Sequence, residues 1–197
     1  MINEEYLFFE KLNLTHVMKM MNWGEHEDPL FVDYNFKFRT KEECKDFLLQ
    51  KTLLPINKYY AIIYSEEVIG FLGTKNINFL KKSSTLGIVL NPDVVNMGFG
   101  KVALKKFLNF YFNEQNMRKM DLLVAGYNPR AKKLYEKMGF KKTKRFLELY
   151  PNGNNIDINS QEMKPHKMEF VQKGNILYNY VYKMELKKED FNIEICN

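Results

Sequence analysis

The sequence predicts an α/β (α+β) fold, a mixed but mostly antiparallel central sheet flanked by helices. Three observations carry that prediction. Three strand-like runs follow one another between Tyr59 and Leu90 with only short turns to join them. Such turns force antiparallel neighbours, because a parallel crossover needs about a dozen residues or more. Two helical repeats then alternate with strands, and an alternating run, Ile176–Leu186, closes the pattern.

Taken in order, Tyr6–Leu12 reads as a strand and Leu14–Asn22 as a short helix with Thr15 near its start. Trp23–Phe38 carries Gly24, Pro29 and the acidic group Glu25, Glu27, Asp28, so it reads as a loop. Thr40-Lys41-Glu42-Glu43 is a capping box, and Cys44, Phe47 and Leu48 recur at helical spacing to about Lys51. Tyr59–Tyr64, Val68–Asn78 and Thr85–Leu90 are the meander, joined at Ser65-Glu66-Glu67 and at the polar turn Lys81-Lys82-Ser83-Ser84. Leu104, Phe107, Leu108 and Tyr111 share a helix face from near Gly100 to about Glu114. Lys119–Ala125 is a strand. Asn128 and Pro129 then suit an N-cap and a first turn, and Gly139 suits a helix stop. Phe140–Leu149 is the next strand, Pro151–Lys167 a polar excursion, and Met168–Gln172 a strand that turns at Lys173-Gly174-Asn175. In the last strand Ile176, Tyr178, Tyr180, Tyr182, Met184 and Leu186 are expected to share one face, and the strand to complete the sheet. The whole, 1–197, is expected to be one domain.

Composition excludes several classes. With 45% hydrophobic and 27% charged residues the chain is ordinary globular material, not a disordered segment. No apolar run approaches a membrane span and the first residues lack a leader pattern, so a cytoplasmic protein without a membrane partner is expected. Two cysteines, Cys44 and Cys196, do not make a disulfide framework, and His16, His26 and His166 are scattered, so no metal is expected. The net charge is +6, and Lys132–Arg145 holds seven basic residues. A solvated basic face explains them better than a nucleic-acid surface, since no aromatic-basic recognition run accompanies them.

The informative segment is Leu90-Asn91-Pro92-Asp93-Val94-Val95-Asn96-Met97-Gly98-Phe99-Gly100-Lys101. A strand ends, and a short loop brings two glycines to the start of an amphipathic helix. Backbone N–H groups there can approach an anion, and the helix dipole favours it. A P-loop is ruled out, because Val95 stands at its first glycine and Val102 follows Gly100-Lys101. Gly98, Gly100 and Ala103 fit a dinucleotide G-x-G-x-x-A, but Ala125 and Gly126 stand where that motif needs an acid.

The meander, the Gly98-x-Gly100 loop and helix, a strand, and Asn128-Pro-Arg-Ala131-Lys-Lys-Leu134-Tyr135-Glu-Lys-Met-Gly139-Phe140 together resemble the GNAT N-acetyltransferases. The likeness is to bacterial members that modify protein N-termini, polyamines or other small amines, and is most specific over residues 85–142. It implies acetyl-CoA as acyl donor and a small-molecule amine or protein N-terminus as acceptor. The backbone of Ile88, Val89 and Leu90 would hold the pantetheine arm, with an N–H at the strand's end facing the thioester carbonyl. The N–H groups of Asn96, Met97, Gly98, Phe99, Gly100 and Lys101 would hold the pyrophosphate, and Asn128 would contact pantetheine. One or two of Arg130, Lys132, Lys133 and Lys137 would meet phosphates, Lys132 foremost. Tyr135 would protonate the leaving thiolate, since a phenol with a pKa of about 10 stays protonated at neutral pH. Glu25, His26, Glu27, Asp28 and Asp33 border the acceptor side in this family and are candidate bases, while Trp23, Phe31, Tyr34 and Phe36 anchor that loop or wall a pocket. Such folds can also pair their last strand across a homodimer.

One residue departs from the pattern. The family's loop usually begins with Gln or Arg three residues before its first glycine, and here Val95 stands there. A side-chain contact is lost, while a cradle built from main-chain N–H groups is kept. Two other readings follow: a non-catalytic acyl-CoA-binding protein of the same fold, which Val95 favours, and a nucleic-acid module, which the charge favours.

Overall fold

The computed structural model describes residues 2–151, 156–161 and 163–192, so Cys196 and part of the polar excursion lie outside the described residues. Two compact units follow one another along the chain, Met1–Met120 and Asp121–Asn197. The pairings in the meander of the first unit, and those of the last strand with its two neighbours from residues 141–149 and 170–173, are antiparallel, and helices accompany the strands in both units, as the sequence predicts.

The first unit is a meander. Strand β1 (Leu7–Lys11) pairs with β2 (Lys58–Tyr64), β2 with β3 (Glu67–Asn78), and β3 with β4 (Ser83–Leu90). Helix α1 (Leu14–Lys19) is capped by Asn13, whose side chain accepts from the His16 N–H, and a 3-10 turn extends it to Asn22. Helix α2 (Lys41–Thr52) opens on the predicted capping box, with both the Thr40 and Glu43 side chains engaged. Strand β4 begins two residues before the sequence reading put it. Ser83 and Ser84 belong to the strand because the buried Ser84 hydroxyl has a partner, donating to Tyr111 Oη at 2.8 Å. Tyr111 in turn donates to the Lys119 carbonyl at 2.7 Å. A polar side chain satisfied in this way need not stay in a turn.

Helix α3 (Phe99–Asn109) buries Phe99, Val102, Ala103, Leu104, Phe107 and Leu108, and a π-helical turn, Phe110–Glu114, prolongs it. An aromatic cluster fills the space between α2 and β2–β3. Phe71 lies at its centre, with Trp23, Phe36, Phe47 and Tyr59 at ring-centroid distances of 5.6–6.5 Å. The Lys51 ammonium sits over Phe47, Tyr59 and Phe71 at 5.0, 5.6 and 5.8 Å.

The second unit is built on β5 (Lys119–Ala125), β6 (Lys141–Leu149), β7 (Phe170–Lys173) and β8 (Ile176–Lys187), with α4 (Pro129–Lys137) following β5. The order runs β5-β8-β6, and β7 also pairs with β8. The last strand corrects two expectations. Its buried residues are Leu177, Asn179 and Val181, and only from Met184 do members of the expected face, Met184 and Leu186, take over. Tyr180 and Tyr182 are instead faced by cations: Arg145 lies 3.4 Å from the Tyr180 ring centroid, and Lys132 and Lys142 lie over Tyr182. Tyrosine rings alternate like core residues but bind cationic neighbours as readily as methyl groups, and the alternation cannot tell the two apart. β8 is also interior to its sheet. The outer strand is β6, whose edge carries Lys141, Lys142, Lys144 and Arg145, charges that oppose pairing with another copy of itself.

Among the described residues no helix is long and apolar enough to cross a membrane. Phe71→Ala removes the ring that the cluster shares, and it should lower the unfolding free energy by about 3–5 kcal/mol in a urea titration. A loss below about 1 kcal/mol would show that the cluster is not a common core.

Candidate functional site

The predicted site residues fall in both units, and each group is built by its own local rules. In the first unit β4 ends against β3, with Ile88 opposite Leu72, Val89 opposite Phe71 and Leu90 opposite Gly70. The chain then makes a 3-10 turn, Pro92–Val94, capped by the Asn91 side chain, which accepts from the Asp93 N–H. Asn96 takes a positive φ of 70° and Gly98 one of 94°. The second of these is the N-cap of α3, where a left-handed backbone and the missing side chain suit glycine.

This helix start differs from the other three. Asn13, Thr40 and Asn128 each fill the first turn of their helix with a side-chain acceptor, whereas α3 has no side-chain cap. Lys101 and Val102 bond back to the Gly98 carbonyl, but the N–H groups of Phe99 and Gly100 precede the first intrahelical bond. Asn96, Met97 and Gly98, which lead into this turn, are exposed, while Phe99 is buried and Gly100 half-buried. The Phe99 side chain turns inward and packs edge-on against Tyr64 at 4.8 Å. Uncapped donors at the positive end of a helix favour an anion.

The loop 23–38 is stitched at several points. Trp23 Nε1 donates to the Val68 carbonyl at 2.8 Å, and the ring stacks on Phe71. With Phe36 in the same cluster, Trp23 and Phe36 anchor the loop. Phe31 and Tyr34 form a separate group with His26. Asn35 clamps His26 by accepting from its N–H and donating to its carbonyl. Glu25 is paired with Lys37 at 2.7 Å, and the Asp28 carboxylate accepts from the Leu30 N–H. Sequence reasoning missed Asp93. Its carboxylate accepts from the Gly24 N–H at 3.1 Å and joins this loop to the turn before α3. The two positions are 69 residues apart, and no local pattern signals the contact.

In the second unit Asn128 caps α4 by accepting from the Ala131 N–H at 3.0 Å. Its Oδ1 is used in this bond, while its Nδ2 has no partner among the described residues and can donate outward. Tyr135 is buried on the inner face of α4, with its ring edge-on to Phe140 at 5.8 Å. Gly139, at φ 92°, ends the helix as predicted. The Lys132 ammonium, foremost of the predicted phosphate contacts, is paired with Glu169 at 3.0 Å. Lys141, Lys142 and Arg145 also have carboxylate partners, Asp190, Glu136 and Glu169. Four of the seven basic residues between 132 and 145 thus have a carboxylate partner, Lys132 and Arg145 sharing Glu169. Arg130, Lys133 and Lys137 are exposed on α4.

Comparison with known proteins gives this arrangement a family. Residues 19–140 match the model of the Acetyltransferase (GNAT) family. A spermidine N(1)-acetyltransferase of Vibrio cholerae is 30% identical over 94 residues, 47% of this chain and 54% of that protein. The chain thus matches about half the length of this curated relative. Among solved structures, a spermidine N-acetyltransferase from Vibrio cholerae in complex with CoA and spermine superposes with a TM-score of 0.69 at 19% identity, covering 94% of this chain and 98% of that one. A spermidine/spermine N-acetyltransferase from the same organism, in complex with manganese ions, gives 0.63 at 18% identity, over 94% and 95%. At these identities the structural likeness speaks for the fold.

Two substitutions test the local geometry. Asn128→Ala removes a filled cap and should cost about 1 kcal/mol of stability. Gly98→Ala forces a side chain into the left-handed region and should cost about 1–2 kcal/mol. Both are read by chemical denaturation, and a neutral Gly98→Ala would mean that the loop adopts another backbone.

Proposed function

Because the chain belongs to the GNAT acetyltransferase family, we propose that it is an acetyl-CoA-dependent N-acetyltransferase acting on a primary amine, with polyamines of the spermidine kind the first acceptors to try. The start of α3 carries this reading: glycine at the cap, no side-chain acceptor for the first turn, and exposed residues 96–98 leading into it, where the family's cofactor needs a cradle for its pyrophosphate. The polyamine acceptor rests on the activity named for the Vibrio cholerae relative. The acidic residues Glu25, Glu27, Asp28 and Asp33 are consistent with it, because a negative loop raises the local concentration of a polycation.

In this reading the N–H groups of Gly98, Phe99 and Gly100 hold the pyrophosphate, those of Met97 and Lys101 being already bonded to the Val94 and Gly98 carbonyls, and Ile88, Val89 and Leu90 offer backbone groups to the pantetheine arm. The Nδ2 of Asn128 donates to the same arm, since its Oδ1 already caps α4. Acetyl-CoA supplies the acetyl group as a thioester. Tyr135 holds the proton that the departing sulfur needs, and burial beside Phe140 keeps its ring in one orientation. A carboxylate of the 23–38 loop takes the amine's proton, directly or through water. Exposed Arg130, Lys133 and Lys137 supply the phosphate contact that Lys132 does not. A homodimer would use a surface other than β8, which is flanked by strands on both sides.

The second reading, a protein that binds acyl-CoA without turnover, is favoured by Val95. Binding and chemistry separate the two. Calorimetric titration should give micromolar affinity for acetyl-CoA and none for NADH, and a thiol-release assay should give turnover with spermidine or another small amine. Tyr135→Phe should lower kcat by about 10²-fold or more while changing acetyl-CoA affinity by less than about threefold. Binding without thiol release from any amine would select the second reading, and full activity of Tyr135→Phe would overturn the acid assignment.

A further inference from the structure

Glu169 is the meeting point of three elements of the second unit. Lys132 of α4 reaches it at 3.0 Å, Arg145 of β6 at 3.6 Å, and the Tyr182 hydroxyl of β8 donates to both its oxygens at 3.2 and 3.3 Å. Its side chain is only 20% exposed, and that of Lys132 only 15%. The Lys132 ammonium also lies over the Tyr182 ring at 4.9 Å, so the pair is enclosed by an aromatic face. Beside it passes the β5–α4 connection. A Cβ at Gly126 would stand 2.1 Å from a Glu169 oxygen, so this glycine leaves room for the carboxylate. The Gly126 N–H is itself bonded to the Tyr180 carbonyl at 2.7 Å.

Two residues after Gly126 comes Asn128, and one helical turn beyond Lys132 comes Tyr135. Lys132 and Tyr135 are three apart, which fixes their angular relation on α4. A tether on Lys132 therefore sets both the rotation of α4 about its axis and its height above the sheet. A half-buried ion pair whose remaining hydrogen bonds are supplied is directional in a way that apolar packing is not.

We infer that Glu169 is a positioning residue for the acetyl-transfer reaction, holding α4 through Lys132 so that Asn128 and Tyr135 stand in their working orientation. The inference rests on the reading of Tyr135 proposed above, and it gives Lys132 a structural task in place of a phosphate contact. Glu169 touches neither donor nor acceptor in this account. It acts through α4.

The test uses the full chain with Glu169→Ala, Glu169→Gln, Lys132→Met and the double variant Glu169→Ala/Lys132→Met. Hydrogen exchange of residues 126–138 and kcat with acetyl-CoA and spermidine are both measured. Glu169→Ala should speed exchange in that segment and lower kcat by about tenfold or more, with KM for acetyl-CoA changed by less than about threefold. Lys132→Met should do the same, and the double variant should be no worse than either alone, because both remove one interaction. Glu169→Gln, which keeps an acceptor for Tyr182 and Lys132, should recover kcat to within about threefold of the parent. Unchanged exchange in Glu169→Ala overturns the inference, as does faster exchange with unaltered kcat or multiplying losses in the double variant. If the parent protein turns over no amine, the acetyl-transfer reading falls instead, and the exchange measurement still decides whether Glu169 fixes α4.

Discussion

Helix α3 starts without a side-chain cap, and much of the first unit is arranged to support that start. Glycine at the cap costs roughly a few tenths of a kcal/mol against a good Ser, Thr, Asp or Asn. The cost is offset along the same helix, where Phe99, Val102, Leu104, Phe107 and Leu108 are buried, each contributing on the order of 1.5–3 kcal/mol relative to exposure. Phe99 illustrates the division of labour. Its backbone N–H belongs to the open first turn, while its ring is buried against Tyr64. The donors can face outward because the side chains beside them are firmly held.

The loop 23–38 solves a different problem. It is long, rich in charge and without regular structure beyond one 3-10 turn, and it is fixed by aromatic rings. Trp23 and Phe36 insert next to Phe71, and the Lys51 ammonium closes the cluster over three of its rings. Burial, and then the neighbouring Lys75, push the Lys51 ammonium below its usual range. Ring quadrupoles oppose that trend by favouring the cation. Beside Trp23, Asp93 holds the Gly24 N–H and ties the loop to the turn before α3.

In the second unit charged contacts are added to an apolar core that includes Leu122, Val124, Phe140, Phe170 and Met184. β6 is exposed over most of its length, yet Arg145 and Lys142 lay their cations on Tyr180 and Tyr182. The Tyr182 phenol is pushed up, first by desolvation and then by the Glu169 carboxylate to which it donates. It stays protonated as a hydrogen-bond donor.

Much of this was legible in the sequence. Strand and helix order follow from the change of hydrophobic period. The Thr40 box, the Asn128 cap, and the glycines at 98 and 139 are local signals, because each depends on a few neighbouring residues and the backbone conformation that they permit. The segments that resemble the family are of this local kind too: a loop with two glycines, and a helix bearing asparagine and tyrosine at fixed spacing. What tertiary structure decided are the contacts between residues far apart in the chain. Ser84 is a strand residue because Tyr111 satisfies its hydroxyl. The tyrosines of β8 face cations because β6 and α4 bring lysines and an arginine over them. Lys132 looked like any other basic residue of an exposed helix face until a carboxylate 37 residues later captured it. Periodicity reports which side of an element is apolar. The partner of a charged side chain is chosen by the fold, because the energy of an ion pair depends on distance and burial, and a sequence encodes neither one locally.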